Sequence, residues 1–290
     1  MNKVTFLANQ NSVHVKRWLE VVDQNLFDLG FLDLVLPSFM KVFKYILLGI
    51  VARFKKDLGL LHAHSALGYG LSAWISGKKY VVTVYGTEVF SSIDSCLKRA
   101  ALKAVFDKAE RISCTTPEME SLVVREFGVE KSKIKMFSMG VSDVFLVDEK
   151  SEKKSGSNEV VFFHNRRFHP HYNVELVLES FSKIKKRFPN VVMKLASGDA
   201  DNEYMESIKH KYKGCPGVVF LDKKSLKEMA FELKASDFTI SIPKSDQLSA
   251  SILESMACGA IPILAPLKAY LGLEKKTKCF FLKSLSVESL

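Results

Sequence analysis

The feature that most constrains the fold is an alternation of short apolar runs with segments of helical spacing in the second half of the chain. Bounded runs rich in Val, Ile and Phe predict buried strands, and the spacing between them predicts helices. The predicted strands are Val160–His164, Val191–Ala196, Val218–Leu221, Phe238–Ile242 and Ile261–Leu264, and the predicted helices are Val174–Phe188, Asn202–Lys213, Ser225–Ala235 and Ser251–Cys258. Such alternation is typical of a parallel sheet with helices on both faces.

The first half shows the same pattern. Strands are predicted at Val4–Ala8, Leu58–His64, Tyr80–Tyr85, Arg111–Thr115 and Lys133–Ser138, with helices at Val13–Val22 and from Pro117. Between the halves, the run 148–159 is rich in charge, Ser and Gly and predicts an interdomain linker. The chain is therefore predicted to be α/β, with two doubly wound domains, 1–147 and 160–290, facing each other across a cleft. Ligands of such sheets bind at the carboxyl ends of the strands.

Composition excludes several other classes of protein. With 47% hydrophobic and 26% charged residues, the chain is not predicted to be disordered. The longest apolar run, Tyr45 to Ala52, is too short to span a membrane, so a soluble chain is expected. Five scattered cysteines without a C-x-x-C pair favour reduced thiols in the cytoplasm. A net charge of +10 suits anionic partners but does not choose among them. Since no recognition motif accompanies it, nucleic-acid binding is not predicted.

The segment Ser245–Gly259 leaves a predicted strand and enters a helix. It places Asp246 and Glu254 eight positions apart and puts Ser249 and Ser251 at the turn. Hydroxyls, free backbone amides and a helix N-terminus together could bind a phosphate. Alternatively, Ser251 and Glu254 form a capping box and Gly259 ends the helix, and the local pattern favours this interpretation.

A second polar segment, 164–173, follows another predicted strand. Adjacent Arg166 and Arg167 could clamp a diphosphate, because guanidinium groups pair bidentately with oxyanions. The alternative is a pair of solvated surface arginines. Histidines in this segment, with His62 and His64, raise the question of a metal. Since no carboxylate pair or Cys–His spacing completes a site, no metal is predicted.

Two short motifs end predicted strands of the first half. These are His62-Ala-His64 and Gly86-Thr87-Glu88, and their side chains are expected to face the cleft. The alternative for each histidine is a packed, hydrogen-bonded core residue.

Together these motifs resemble glycosyltransferase family 4, whose members have the GT-B fold and retain anomeric configuration. The resemblance is strongest over Asp246…Glu254-Ser-Met-Ala-Cys-Gly259-Ala-Ile-Pro262, which is similar to the family's paired-acid motif. It extends over Phe6–Asn9, Val13–Trp18, His62–His64, Thr83–Glu88, Ile134–Val141, Phe145, Arg166, Tyr172–Asn173 and Ala235–Asp237.

The resemblance implies a nucleotide-diphosphate-sugar donor and a role for each motif residue. Glu254 would hold the ribose, and Asp246, with the backbone from Gln247 to Ser249, would contact the donor sugar. Ser249, Ser251 and Arg166 would bind the diphosphate, with Arg167 as a further cation. A glycan or lipid-linked acceptor would enter near Asn11, His64 and Glu88. Neither a metal nor another cofactor is implied, and the pathway would be polysaccharide or glycoconjugate biosynthesis.

The chain departs from the family pattern at four positions and in length. Asp246 stands where many relatives have Glu, Gln247 where they have Gly, Tyr172 where they have Lys and Tyr85 where they have His. The first domain and the C-terminus are both shorter than in most relatives. The alternative function is therefore a catalytically inactive GT-B fragment that binds a nucleotide or a partner protein.

Ser38–Lys56 carries apolar residues at helical spacing together with five basic residues. That composition is typical of an interfacial helix, and it implies peripheral contact with the inner face of the cell membrane if the acceptor is lipid-linked. The alternative, a core helix of the first domain, is slightly favoured.

Overall fold

The computed structural model describes residues 2–23, 25–137, 140–146, 158–196, 201–275 and 277–290. By internal contacts, the chain divides into two compact units, Met1–Met139 and Gly140–Leu290. The sequence-predicted boundary lies at 147, whereas the fully buried Phe145 packs in the second unit, where its carbonyl accepts a hydrogen bond from Cys258 Sγ. Residues 148–157 of the predicted linker lie outside the described residues.

The first unit is built on a six-stranded parallel sheet. Its strands are β1 (Asn2–Leu7), β2 (Phe27–Leu32), β3 (Leu60–His64), β4 (Tyr80–Thr83), β5 (Arg111–Cys114) and β6 (Ile134–Met136). They lie in the order β2-β1-β3-β4-β5-β6. Five of these strands confirm sequence predictions. The edge strand β2 was not predicted, because Asp28 and Gly30 interrupt its apolar pattern.

The helices of this unit are α1 (Val13–Val21), α2 (Lys41–Phe54), α3 (Tyr69–Ser76), α4 (Thr87–Ile93), α5 (Cys96–Lys108) and α6 (Pro117–Phe127). Short 3-10 turns cover Ser38–Met40 and Lys131–Lys133. As predicted, Pro117 is the first residue of α6, and Thr116 caps it by accepting from the Met119 amide at 3.2 Å.

The second unit repeats the architecture with β7 (Val160–His164), β8 (Val191–Ala196), β9 (Val218–Leu221), β10 (Phe238–Ser241), β11 (Ile261–Leu264) and β12 (Phe280–Phe281). The helices are α7 (Val174–Arg187), α8 (Asn202–Lys211), α9 (Leu226–Lys234) and α10 (Ala250–Ala257). Short 3-10 turns cover Asp143–Phe145, Pro170–Tyr172, Lys268–Tyr270 and Leu273–Lys275. The predicted α/β class and the doubly wound form of both domains are confirmed.

The strand order of the second sheet, β12-β11-β10-β7-β8-β9, positions a ligand site. The chain runs outward from β7 through β8 to β9, and then returns to β10 on the other side of β7. The order therefore reverses between β7 and β10, and a crevice opens at their carboxyl ends. The segments that follow these two strands are the polar segments singled out in the sequence.

Helix α2 packs against α3 with its buried residues Leu48, Gly49 and Ala52. The opposite side of the helix and the turn before it expose a stripe of large apolar side chains, with exposed fractions from 36% to 86%: Phe39, Val42, Phe43, Ile46, Ile50, Val51 and Phe54. The core-helix interpretation thus accounts for only part of the segment. In the described part of the chain, no helix is long and apolar enough to cross a membrane.

Replacing Gly49 with Ala is expected to destabilise the first domain, although alanine is the better helix former by about 1 kcal/mol. A Cβ atom at this position would lie 2.7 Å from Ile75 Cβ and 2.8 Å from the Ser72 carbonyl oxygen. We expect overpacking to cost about 1–3 kcal/mol. Urea unfolding followed by tryptophan fluorescence measures this, with Val51→Ala on the exposed side of α2 as the control. A more stable Gly49→Ala protein would contradict the close packing of α2 and α3.

Candidate functional site

Arg166 is the centre of the polar site in the second domain. It follows β7, and only 7% of its surface is exposed. Its Nη2 donates to Asp246 Oδ2 at 2.7 Å, and its Nη1 donates to Ser251 Oγ at 2.9 Å. The guanidinium stacks on the Tyr172 ring, 4.6 Å from the centroid. The interpretation of Arg166 as a solvated surface residue is therefore wrong, whereas Arg167 is exposed.

Asp246 connects Arg166 to the loop that follows β10 and to a residue that the sequence analysis missed. Its Oδ2 also accepts from the Tyr270 hydroxyl at 2.9 Å, and its Oδ1 accepts from the backbone amide of Gln247 at 3.0 Å. Tyr270 is fully buried, and burial followed by the Asp246 charge raises the pKa of its hydroxyl. Tyr270 therefore remains a neutral donor that holds the carboxylate in place.

The N-terminus of α10 brings the two serines to the same site. Ser249 is the N-cap residue, and its Oγ accepts from the Ser251 amide at 3.3 Å and lies 2.8 Å from Ser251 Oγ. The predicted capping box of Ser251 with Glu254 is therefore wrong, since the helix begins two residues earlier than that motif requires. Glu254 lies one turn into α10 and is buried. Gly259 adopts a φ of 80°, as predicted for a helix end.

The electrostatics of this site favour an anion. Burial acts to lower the pKa of Arg166, but the Asp246 charge and the neighbouring Tyr270 and Tyr172 outweigh it, so the pKa is raised. The adjacent His164 is fully buried, and burial lowers its pKa to about 4, so its ring is neutral at pH 7. The Arg166 cation with its Asp246 partner, two hydroxyls and the positive end of a helix dipole thus converge on one place.

A second polar cluster lies at the carboxyl ends of β3 and β4 in the first domain. His64 Nδ1 lies 2.7 Å from the Tyr85 hydroxyl, and His62 Nε2 lies 2.8 Å from Thr83 Oγ1. Both rings are buried, and burial lowers the pKa of His62 to about 4. Burial, followed by the neighbouring His62 and His14, lowers the pKa of His64 to about 2. Among the described residues, His64 Nε2 has no hydrogen-bond partner.

The other two predicted acceptor-side residues differ in their surroundings. Glu88 Oε1 accepts from the backbone amides of Tyr85 and Ala66 at 3.0 and 3.2 Å, so the carboxylate orders the segments that follow β3 and β4. Tyr85 thereby connects Glu88 with His64. Asn11 is exposed in the loop between β1 and α1, where its backbone amide donates to Asn9 Oδ1 at 2.9 Å.

The geometry thus groups the predicted donor residues Arg166, Asp246, Gln247, Ser249 and Ser251, and Glu254 lies on the same helix. Tyr270 was missed because it stands far along the chain in a 3-10 turn with no motif of its own. Within the residues described, no group of three or more His, Cys, Asp or Glu side chains could hold a metal. Metal independence stays a prediction.

Comparison with known proteins identifies a family for each half of the chain. Residues 147–290 match the model of glycosyl transferases group 1, and residues 16–144 match that of Glycosyltransferase Family 4. No curated protein sequence matches the chain significantly.

Solved structures show the same fold at low identity. Alr3699/HepE from Anabaena, in complex with UDP and glucose, has a TM-score of 0.72 at 13% identity, over 100% of this chain and 87% of that one. Sucrose-phosphate synthase (tll1590) from Thermosynechococcus elongatus has a TM-score of 0.74 at 13% identity, over 100% and 88%.

The fold and the two family matches define a GT-B transferase of sugars. Within that class, the chain belongs to glycosyltransferase family 4. The resemblance seen in the sequence is confirmed.

Lowering the pH is expected to destabilise the first domain, because its buried histidines stay neutral while those of the unfolded chain become protonated. With a folded pKa of about 4 for His62, stability is complete above about pH 6.5 and falls as the pH decreases toward 4. The loss at pH 5 should be about 2 kcal/mol for each such histidine. Both tryptophans, Trp18 and Trp74, belong to the first domain, so urea unfolding followed by their fluorescence measures this.

The variant His62→Gln should reduce the pH dependence by about half, since His64 still contributes. The matched variant His210→Gln removes an exposed ring from α8 of the second domain and should leave it unchanged. Equal unfolding free energies of the unmodified protein at pH 7 and pH 5 would contradict the neutral, buried state of these rings.

Proposed function

We propose that this glycosyltransferase moves a sugar, with retention of configuration, from a nucleoside-diphosphate sugar to a glycan or lipid-linked acceptor in building a polysaccharide or other glycoconjugate. The observation that carries the proposal is Arg166, a buried guanidinium held by Asp246 and Ser251 at the N-terminus of α10. A protein buries a charged group at a strand end only with strong compensation. The ion pair with Asp246 and the stacking on Tyr172 keep the Arg166 guanidinium oriented for an anionic ligand.

The donor diphosphate would bind where these groups converge. Arg166, the two serine hydroxyls and the first amides of α10 supply charge-assisted hydrogen bonds to phosphate oxygens. As the bond to the sugar breaks, negative charge grows on the diphosphate. Preorganised donors of this kind stabilise that charge electrostatically, which is the role that a metal ion has in other transferases. We therefore propose transfer without a metal.

The two acidic residues would contact the two sugars of the donor. Glu254 is buried one turn into α10, where a carboxylate can accept hydrogen bonds from the ribose hydroxyls. Asp246, with the backbone from Gln247 to Ser249, would meet the hydroxyls of the transferred sugar. Uridine is the base to test first, because the similar Anabaena protein was solved with UDP and with UDP-glucose.

On the acceptor side, we propose that His64 positions a hydroxyl by a hydrogen bond from or to its Nε2. This atom is buried and has no partner among the described residues, so a ligand hydroxyl would satisfy it. A pKa of about 2 makes the ring a weak base, so a positioning role fits it better than proton abstraction. Glu88 would act indirectly, by ordering the strand ends beside His64, and Asn11 would contact the acceptor from its exposed loop.

Nucleotide binding tests the donor site. Isothermal titration with UDP, GDP and ADP should show binding of one nucleotide, and Arg166→Ala should weaken it about 10- to 100-fold, as expected for the loss of hydrogen bonds from a charged group. Arg166→Lys keeps the positive charge but loses the pair of nitrogens with which a guanidinium binds an oxyanion, so it should weaken nucleotide binding by an intermediate amount. Arg187→Ala, at the exposed end of α7, is the matched control. Failure of all three nucleotides to bind would overturn the proposed donor site.

Turnover separates an enzyme from a binding module. If the protein transfers sugar, Glu254→Ala should abolish release of UDP from UDP-glucose in the presence of acceptor. In the alternative function, an inactive GT-B module, the same variant would alter only the affinity for the nucleotide.

We further propose that the exposed apolar stripe of α2 lies on the cytoplasmic face of the membrane. Phe39, Phe43, Ile46, Ile50 and Phe54 follow one another at helical spacing, and all five side chains are exposed. Arg53, Lys55 and Lys56 stand at the end of the same helix. An apolar face bordered by cations suits a bilayer that contains anionic lipids. Such contact would bring a lipid-linked acceptor to the enzyme.

Co-sedimentation with vesicles of phosphatidylglycerol and phosphatidylcholine tests this contact. We expect binding that decreases at least several-fold in Phe43→Glu and in the double variant Lys55→Glu/Lys56→Glu, since each basic residue near the surface contributes about 1 kcal/mol. Phe231→Glu, which changes an exposed aromatic residue of α9 in the second domain, should bind as the unmodified protein does. Vesicle binding that is unchanged in both Phe43→Glu and Lys55→Glu/Lys56→Glu would contradict the assignment of α2.

A further inference from the structure

The two faces of the first-domain sheet are covered very unequally. Side chains alternate along a strand, so Leu7, Leu61 and Val82 point to one face, whereas Phe6, Leu60 and Val81 point to the other. The first face carries the main core of the domain, to which helices α2 to α6 contribute. The second face carries a small buried cluster of Phe6, Ala8 and Val15, to which only α1 contributes.

The uncovered part of this second face forms a groove with a volume of about 270 Å³. It crosses all six strands, from β2 at one edge of the sheet to β6 at the other, and its walls are almost entirely apolar. Trp18 and Val22 of α1 form one side, and the sheet contributes chiefly Val4, Phe27, Leu29, Leu60 and Val81. None of these residues is fully buried, so the groove is open to a ligand. An open concave apolar surface of this kind is typical of a site for an apolar ligand.

The charges that border the groove have one sign. Arg111 and Lys135 line it from β5 and β6, and no acidic side chain does so among the described residues. Both cations are exposed. His62 also lines the groove, and its ring is neutral at pH 7. The groove is therefore complementary to a molecule that combines an apolar chain with an anionic group.

One end of the groove is continuous with the proposed acceptor site. The Trp18 ring contacts His62 edge-on, with 4.7 Å between centroids, and lies 5.8 Å from His64. On its other side it stacks on Phe137 at 4.3 Å. The same indole thus forms a wall of the groove and a neighbour of the histidine that we assign to the acceptor.

We propose that this groove binds the hydrocarbon chain of an anionic amphiphile, and that this amphiphile is the lipid acceptor of the transfer reaction. The assignment as acceptor rests on the proposed function, whereas the binding of the amphiphile does not. A concave groove of this volume accommodates a single chain and not a bilayer surface. The stripe of α2 belongs to the opposite face of the sheet, so contact of α2 with a membrane would leave the groove available to one extracted lipid chain.

Trp18 provides a direct probe of binding. In a Trp74→Phe background it is the only tryptophan of the chain. Titration with decyl phosphate, below its micelle concentration, should shift or quench Trp18 emission in a saturable way. Affinity should rise up to about fourfold for each methylene added from octyl to decyl phosphate, as expected for chain burial. Decyl trimethylammonium, with the same chain and the opposite charge, should bind at least tenfold more weakly.

Two substitutions test the groove and its border. Val81→Phe fills the groove, and Lys135→Glu reverses a charge at its border. Each variant should bind decyl phosphate at least tenfold more weakly than the unmodified protein. Lys98→Glu, at an exposed position of α5, is the charge control, and Val219→Phe, on β9 of the second domain, is the volume control. If Val81→Phe fails to fold, as judged by urea unfolding, the chain-length series and Lys135→Glu still decide the question.

A Trp18 response that is absent, independent of chain length or unchanged by these variants would overturn the proposal. A change in sedimentation coefficient with protein concentration that Val81→Phe abolishes would also overturn it, in favour of a second copy of the chain. UDP affinity is measured on the same samples. If UDP binds and decyl phosphate does not, only the proposed amphiphile site is refuted. If decyl phosphate binds and UDP does not, only the proposed donor site is refuted.

Acceptor use is tested last. Transfer from UDP-glucose to a decyl-phosphate-linked sugar should show an at least tenfold higher KM in Val81→Phe, with kcat little changed, because the hydrocarbon chain takes no part in the bonds that form and break. Equal KM values in the variant and the unmodified enzyme would overturn the assignment of the bound amphiphile as acceptor.

Discussion

The candidate donor site depends on the ion pair between Arg166 and Asp246. It joins segments 80 residues apart, one after β7 and one after β10, across the point where the strand order reverses. Burying such a pair is costly unless every partner is satisfied. Here Ser251 Oγ accepts a hydrogen bond from the second terminal nitrogen of Arg166, and Tyr172 stacks on the guanidinium. Tyr270 donates to the Asp246 carboxylate. Removing one member would leave an unpaired charge, so these residues act as a unit.

The first domain depends on a different constraint, the unequal covering of its sheet. Five helices, α2 to α6, contribute to the core on one face, whereas only α1 does so on the other. The histidines of β3 lie on the sparsely covered face and remain neutral because they are buried. The apolar groove and the Nε2 of His64, which has no hydrogen-bond partner among the described residues, therefore lie on the same, sparsely covered face of the sheet. On the covered side, α2 packs with one surface and leaves its other apolar surface exposed, so the two exposed apolar surfaces of this domain belong to opposite faces of the sheet.

Most strands were predictable because parallel strands buried on both faces have continuous apolar sequences. The strand β2 was missed because Asp28 and Gly30 break its apolar pattern. It lies at the edge of the sheet, where a strand has one neighbour and its side chains need less burial. The cap of α10 was misplaced because Ser249 and Ser251 are equally good cap residues. Tyr270 could not be found from sequence, since its role depends only on a long-range contact with Asp246.

The amino-acid sequence by itself determined the α/β class, the two domains, the family, and the residue types of both motifs. The fold class and the domains follow from periodicity, which acts within a few residues along the chain, and the family follows from the resemblance of short motifs. Only the tertiary structure decided that Arg166 is buried while its neighbour Arg167 is exposed, that Tyr270 supports Asp246, and that one sheet face stays open as a groove. Burial and pairing depend on which elements meet in space, and no local pattern encodes those contacts.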